Sequence, residues 1–351
     1  MTPSPFLGVV LHALGGLAAG SFYIPFKRVR GWAWESYWLV GGVFSWIVAP
    51  WMVAWLVCPN LLSVLREAPG RSLFWSYSFG VLWGVGGLTF GLSMRYLGLS
   101  LGYALALGFC AAFGTIIPAI FMGQFLAMTA APSGWITLAG VVVCLAGIAV
   151  CGRAGVAKER ELSAAQKQQT IQEFDFAKGV WVAVFAGIMS ACMAFGIAAG
   201  KPIAALAVER GAAALWQNTP VFVVILAGGF TTNFLWCLTL NVRNRTARDY
   251  LDNRAAALVA NYLFSALAGL TWYLQFLFYG MGTTQMGRYD FSSWTIHMAF
   301  IIVFSNLWGF FFKEWKGTSR RTHVLIRAGL VVLILATLLV GSGNYLASLK
   351  N

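Results

Sequence analysis

Ten mostly apolar stretches punctuate the chain, at about 6–26, 36–57, 73–94, 101–122, 135–152, 178–200, 216–240, 257–281, 291–312 and 324–346. A run of about 18 such residues can cross a hydrocarbon core of roughly 30 Å, so the pattern predicts ten transmembrane helices. The expected fold is an all-α integral membrane protein. The opening residues, 1–10, lack the basic region of a secretory signal, so the first helix is expected to be retained.

The runs repeat. Gly16-Leu17-Ala18-Ala19-Gly20 in the first helix matches Gly196-Ile197-Ala198-Ala199-Gly200 in the sixth at an offset of 180. Gly87-Leu88-Thr89 in the third matches Gly269-Leu270-Thr271 in the eighth at 182, and Gly140 and Gly152 match Gly329 and Gly341 at 189. Five helices per half is an odd number, so the second half enters the membrane from the opposite side. Two inverted five-helix repeats are therefore expected, with substrate at their interface. Residues 1–152 form the first repeat and 178–351 the second. Residues 153–177, with the polar stretches Lys158-Glu159-Arg160-Glu161 and Gln166 to Gln169, form a cytoplasmic linker.

Charge supplies the orientation. Of 24 Lys and Arg, 18 fall in loops on the side opposite the N-terminus, among them Lys27, Arg28, Arg30, Arg153, Arg243, Arg245 and Arg248. The other six are Arg66, Arg71, Lys201, Arg210, Arg288 and Lys350. Basic loops stay cytoplasmic, so both termini are expected outside, on the periplasmic face of a bacterial inner membrane. The net charge of +13 is thus a topology signal in contact with a lipid bilayer. It predicts no nucleic-acid partner, which would need those charges on a soluble folded face. Nothing in the pattern selects an oligomeric state.

Ionisable side chains are expensive inside a bilayer and mark function when they are kept there. His12, Gln275 and His297 each lie about six residues from the same end of their predicted helices, roughly 9 Å below the outer surface. That shared depth predicts one cavity. Trp272, Tyr273, Phe276 and Tyr279 flank Gln275, and aromatic faces with an amide suit a sugar; the same rings also fit an interfacial aromatic belt. Histidine exchanges protons near neutral pH, so His12 and His297 are proton-coupling candidates as well as substrate-site candidates, and Asp290, the acid nearest that layer, is an alternative proton carrier or a partner for Arg288. Lys27, Arg95, Lys201 and Glu35 sit at helix ends as gating or structural candidates, where long basic chains also snorkel to headgroups.

The six cysteines lie in or beside apolar runs without metal-ligand spacing and read as packing thiols; no metal is expected. There is no GxxxxGKS or GxxxxGKT phosphate loop, no HExxH, and no intramembrane nucleophile spaced against a base. The chain is expected not to be an enzyme and to need no cofactor, and an ion gradient rather than ATP is the expected drive.

Several motifs together resemble the L-rhamnose and proton symporter family within the drug/metabolite transporter superfamily. They are His12 with Phe22-Tyr23-Ile24-Pro25-Phe26-Lys27, Trp32-Ala33-Trp34-Glu35, Met94-Arg95-Tyr96-Leu97-Gly98, Ala199-Gly200-Lys201-Pro202, and Trp272-Tyr273-Leu274-Gln275-Phe276. Tyr289-Asp290, Ser293-Trp294, His297-Met298 and Lys313-Glu314-Trp315 complete the set. The resemblance covers essentially the whole chain. It implies a ten-helix inner-membrane carrier that imports a 6-deoxyhexose, L-rhamnose, with a proton, and it adds Tyr23 to the substrate-site candidates. The chain departs from the family form at Gln217-Asn218-Thr219-Pro220 and in the basic loop after the seventh helix, which leaves the sugar open. An exporter of drugs or metabolites on the same fold, a carrier for another sugar, and sodium in place of the proton are the alternatives.

Overall fold

The computed structural model describes residues 3–349 apart from 98, 122, 162–175, 252–257 and 314. Gly98, Glu314 and most of the 153–177 linker lie outside the described residues. Among those described there is no strand. The principal helices are α1 (Pro5–Ser21), α2 (Trp34–Val57), α3 (Gly70–Leu97), α4 (Leu99–Phe121), α5 (Pro132–Glu161), α6 (Phe176–Ala199), α7 (Thr219–Asn244), α8 (Leu258–Gln285), α9 (Ser293–Phe311) and α10 (Arg320–Ser348). Eight described segments are long and apolar enough to cross a membrane: α1 extended to Phe26, α2, α5, α6 extended to Glu209, α7, α8, α9 and α10. The chain is a multi-pass membrane protein, with large apolar side chains such as Phe121, Trp181 and Val242 turned outward.

Helix ends follow local chemistry. Pro220 sits in the first turn of α7, where its missing N–H costs no helical bond. Ser319 caps α10, its hydroxyl accepting from the Thr322 N–H at 3.3 Å. Two helices run further than their hydropathy suggests. α5 continues past 152 through Arg153-Ala154-Gly155-Val156-Ala157 to Glu161, whose carboxylate accepts from the Ser319 hydroxyl and the Thr322 hydroxyl, each at 2.7 Å. Three accepted hydrogen bonds, the Ser319 N–H included, hold the Glu161 carboxyl below the usual carboxylate range. α8 continues through Gly280 and Gly282 to Gln285. Both glycines are packing sites, because a Cβ there would strike Phe222 and His12 respectively.

α2 contains a π-helical turn at Phe44–Val48. Pro50, in the first turn of the α-segment that follows, cannot donate to the carbonyl four residues back, that of Trp46, and its ring crowds that oxygen. Widening the turn by one residue relieves the clash, a geometry found often at functional positions.

The chain forms two compact units, and each draws on both halves of the sequence. Unit 1 comprises Met1–Leu17, Gly86–Ala194 and Met281–Asn351; unit 2 comprises Ala18–Val85 and Phe195–Gly280. In unit 1, α5 packs along the length of α10, and α4 packs against α9. The α5/α10 seam is lined by small residues. A Cβ on Gly140 would lie 2.9 Å from Val340 N, one on Gly147 3.2 Å from Leu333 N, and one on Gly343 2.8 Å from Ser133 O. Where water offers no hydrophobic drive, such close backbone approach is what holds helices together. In unit 2, α2 packs against α7.

Candidate functional site

Two sets of groups stand out, one in each unit. In unit 1, His12 of α1 and His297 of α9 are buried to 0% and 2% exposure, with ring centroids 6.2 Å apart at 64°. Gly282 makes the room: a Cβ there would lie 2.7 Å from the His12 ring. His297 also lies beside Trp294, whose Nε1 donates to the Cys110 carbonyl at 3.0 Å, and the Thr115 and Thr295 hydroxyls meet at 2.6 Å. The histidine end of α9 is thereby pinned to α4. Asp290 is half-buried in the 3-10 turn Gly287–Ser292, just before α9.

In unit 2, six aromatic rings close a circuit: Phe22, Trp38, Trp46, Trp83, Phe276 and Trp272. Successive centroids are 6.3, 6.2, 6.1, 5.5 and 6.1 Å apart, and Trp272 closes back on Phe22 at 4.0 Å. A recess in this region is lined by Phe22, Trp38, Gly42, Ser45, Trp46 and Trp272, with Gly41 and Gly269 forming the close backbone contact of α2 with α8. Trp38 is fixed by a bond from its Nε1 to the Asn233 Oδ1, 3.1 Å. Ser45 Oγ, Trp46 Nε1 and Trp272 Nε1 are buried and have no hydrogen-bond partner.

The remaining residues expected from the sequence are placed as follows. Gln275 and Tyr273 are buried in unit 2, their Nε2 and hydroxyl unpartnered, and both stand outside the lining of the recess. With α8 running to Gln285, Gln275 lies about ten residues, roughly 15 Å of helix, from that end, and not six as the hydropathy suggested. Tyr23 is exposed, its hydroxyl 3.5 Å from that of Tyr37. Lys27 is exposed, Lys201 is half-buried, and the Arg95 side chain lies outside the described residues. Glu35 is buried and accepts from Asn244 Nδ2 at 2.9 Å and the Thr246 hydroxyl at 2.8 Å.

Sequence reasoning passed over Ser45, Trp46, Trp38 and Asn233. It also passed over Asp249, which accepts from the Ala33 N–H at 2.8 Å and the Ser36 hydroxyl at 2.6 Å and so docks the basic segment after α7 onto the start of α2. The available signals were Gly41-Gly42 followed by Pro50, and the spacing of Asn233, Cys237, Asn241 and Asn244 along one face of α7.

A bundle of apolar helices holding a buried histidine pair and an aromatic enclosure defines a multi-pass membrane protein with polar groups built into its interior. The chain belongs to the L-rhamnose-proton symport protein (RhaT) family, matched over residues 1–346. It is 37% identical over 340 residues to the L-rhamnose-proton symporter of Cronobacter sakazakii, covering 96% of this chain and 97% of that protein. It is 36% identical over 346 residues to the L-rhamnose-proton symporter of Yersinia pestis, covering 98% and 99%. The family and these relatives are transporters and not enzymes.

Proposed function

We propose that the protein imports L-rhamnose together with a proton by alternating access. The observation that carries this reading is the match of nearly the whole chain to L-rhamnose-proton symporters. The aromatic circuit of unit 2 supports a sugar, because ring faces cover C–H surface while indole N–H and amide groups bond hydroxyls. Trp272 contributes the stacking face, with Gln275, Tyr273 and Tyr23 as further polar contacts. The His12/His297 pair of unit 1 takes up and returns the proton, two imidazoles within 6.2 Å acting as one titrating unit, with Asp290 as the alternative carrier.

The topology that goes with this function is ten crossings, with α3 and α4 added to the eight apolar segments, in two inverted repeats of residues 1–152 and 178–351. Packing supports the repeat, since α2 meets α7, α4 meets α9 and α5 meets α10, each helix against its counterpart five positions on. The two compact units also divide α1, α3, α6 and α8, which are the counterpart pairs one with six and three with eight. Both termini then face the periplasm from a bacterial inner membrane, and the fold is that of the drug/metabolite transporter superfamily. Proteoliposome uptake tests the function. Rhamnose should accumulate under an inward proton gradient and not under a sodium gradient alone; equal uptake with and without either gradient overturns the symport reading.

A further inference from the structure

The recess in unit 2 leaves room for about one water-sized group, too little for a whole sugar but enough for one hydroxyl. Its lining is mostly apolar, but three of the lining residues carry polar atoms that such a group could satisfy. A hydroxyl accepts two hydrogen bonds and donates one. Trp46 Nε1–H and Trp272 Nε1–H are two buried donors without partners, and Ser45 Oγ is a buried oxygen that can accept. Trp38, which also lines the recess, is satisfied by Asn233, so among the recess-lining side chains the open valences are those of Ser45, Trp46 and Trp272. Leaving a buried donor or acceptor unmade costs about 1–3 kcal/mol, which a structure keeps where a ligand supplies the partner.

The backbone is arranged to present these groups. The π-turn Phe44–Val48 carries Ser45 and Trp46, and Gly42 vacates the space the Trp46 ring occupies, where a Cβ would lie 2.6 Å from it. Ser45 falls at the middle of the 24-residue span Trp34–Val57 and Trp272 near the middle of the 28-residue span Leu258–Gln285. Carriers of this general kind hold substrate at mid-membrane, often where a helix departs from α geometry.

We infer that Ser45, Trp46 and Trp272 form a subsite that reads one ring hydroxyl of the transported sugar, with the π-turn of α2 as its positioning device. The assignment rests on the sugar-carrier reading above. Purified protein is tested by equilibrium binding of L-rhamnose and of L-rhamnose analogues each lacking one ring hydroxyl, alongside ligand-free melting temperature. Ser45→Ala and Trp46→Phe should each raise the rhamnose Kd roughly tenfold, the effect of about one lost hydrogen bond to a buried polar partner. One analogue should bind the wild type about equally less well, and that analogue alone should bind wild type and variants alike. Variants that bind rhamnose as the wild type does overturn the assignment, as does a fall in melting temperature with Kd unchanged, the signature of a structural water in the recess. A wild type that binds no rhamnose overturns the carrier reading and this subsite together.

Discussion

Unit 1 and unit 2 are built from the same kind of apolar helix yet solve different problems. Glycines bring backbones together in both, at the α5/α10 seam of unit 1 and where Gly41 meets Gly269 in unit 2, and in unit 1 a further glycine opens the space for His12. The interior polarity of unit 1 includes two titratable side chains, His12 and His297. Unit 2 is filled with rings, its six-member aromatic circuit enclosing neutral donors that cannot titrate near neutral pH. Two of its acids, Glu35 and Asp249, are spent on fixing the ends of α2 and α7. An aromatic enclosure suits a neutral, hydroxylated ligand. The residues proposed for proton handling and those proposed for sugar recognition thus lie in different compact units.

If that division holds, variants in the two units fail in different ways. His12→Ala or His297→Ala should reduce gradient-driven accumulation to the level of protein-free vesicles while equilibrium exchange of labelled rhamnose continues; equal loss of both activities would merge the two roles. Gly343→Val, which pushes side-chain atoms into Ser133 and Thr137 at the seam, should lower stability by about 1–3 kcal/mol, read as a drop in melting temperature. Trp272→Leu removes both the proposed stacking face and the indole N–H and should raise the rhamnose KM by roughly 30- to 100-fold with the pH profile unmoved, stacking being worth about 0.5–1.5 kcal/mol and the hydrogen bond about tenfold. A shifted pH profile in that variant would break the comparison from the other side.

The smallest effect concerns Glu161, whose folded pKa lies below its ordinary 4.5. Its contribution to holding α5 at the Ser319 cap is present above the ordinary value and is lost as pH falls through the lowered one. The melting temperature of the wild type should therefore fall on acidification over that range slightly more than that of Glu161→Gln. Parallel curves would show that the exposed latch contributes nothing measurable.

The crossing segments were legible because a bilayer imposes a length and an apolar face on each, and the described helices fall within a few residues of the runs for that reason. Where they differ, hydropathy measured solvent preference and not helix continuity. Lys158 to Glu161 are polar but still helical, because the carboxylate of Glu161 finds partners in Ser319 and Thr322. The apolar run of the eighth helix stops near 281, yet α8 continues to Gln285, and Gly280 and Gly282 are places where Phe222 and His12 press against the backbone. His12 and His297 could be singled out because charge is rare among apolar residues. Ser45 and Trp46 could not, since neither residue type is unusual in such a run, and the circuit joins positions from 22 to 276 that only tertiary packing brings together. Pro50 was the one local clue to the wide turn.

The α5/α10 seam has a mechanical consequence. With backbones in contact near Gly140, Gly147 and Gly343, neither helix can slip past the other by a turn without driving side chains into main chain. During a transport cycle the two must travel as a single stiff rod. Hinges in this unit therefore belong outside the pair, and a crosslink between α5 and α10 should leave turnover intact.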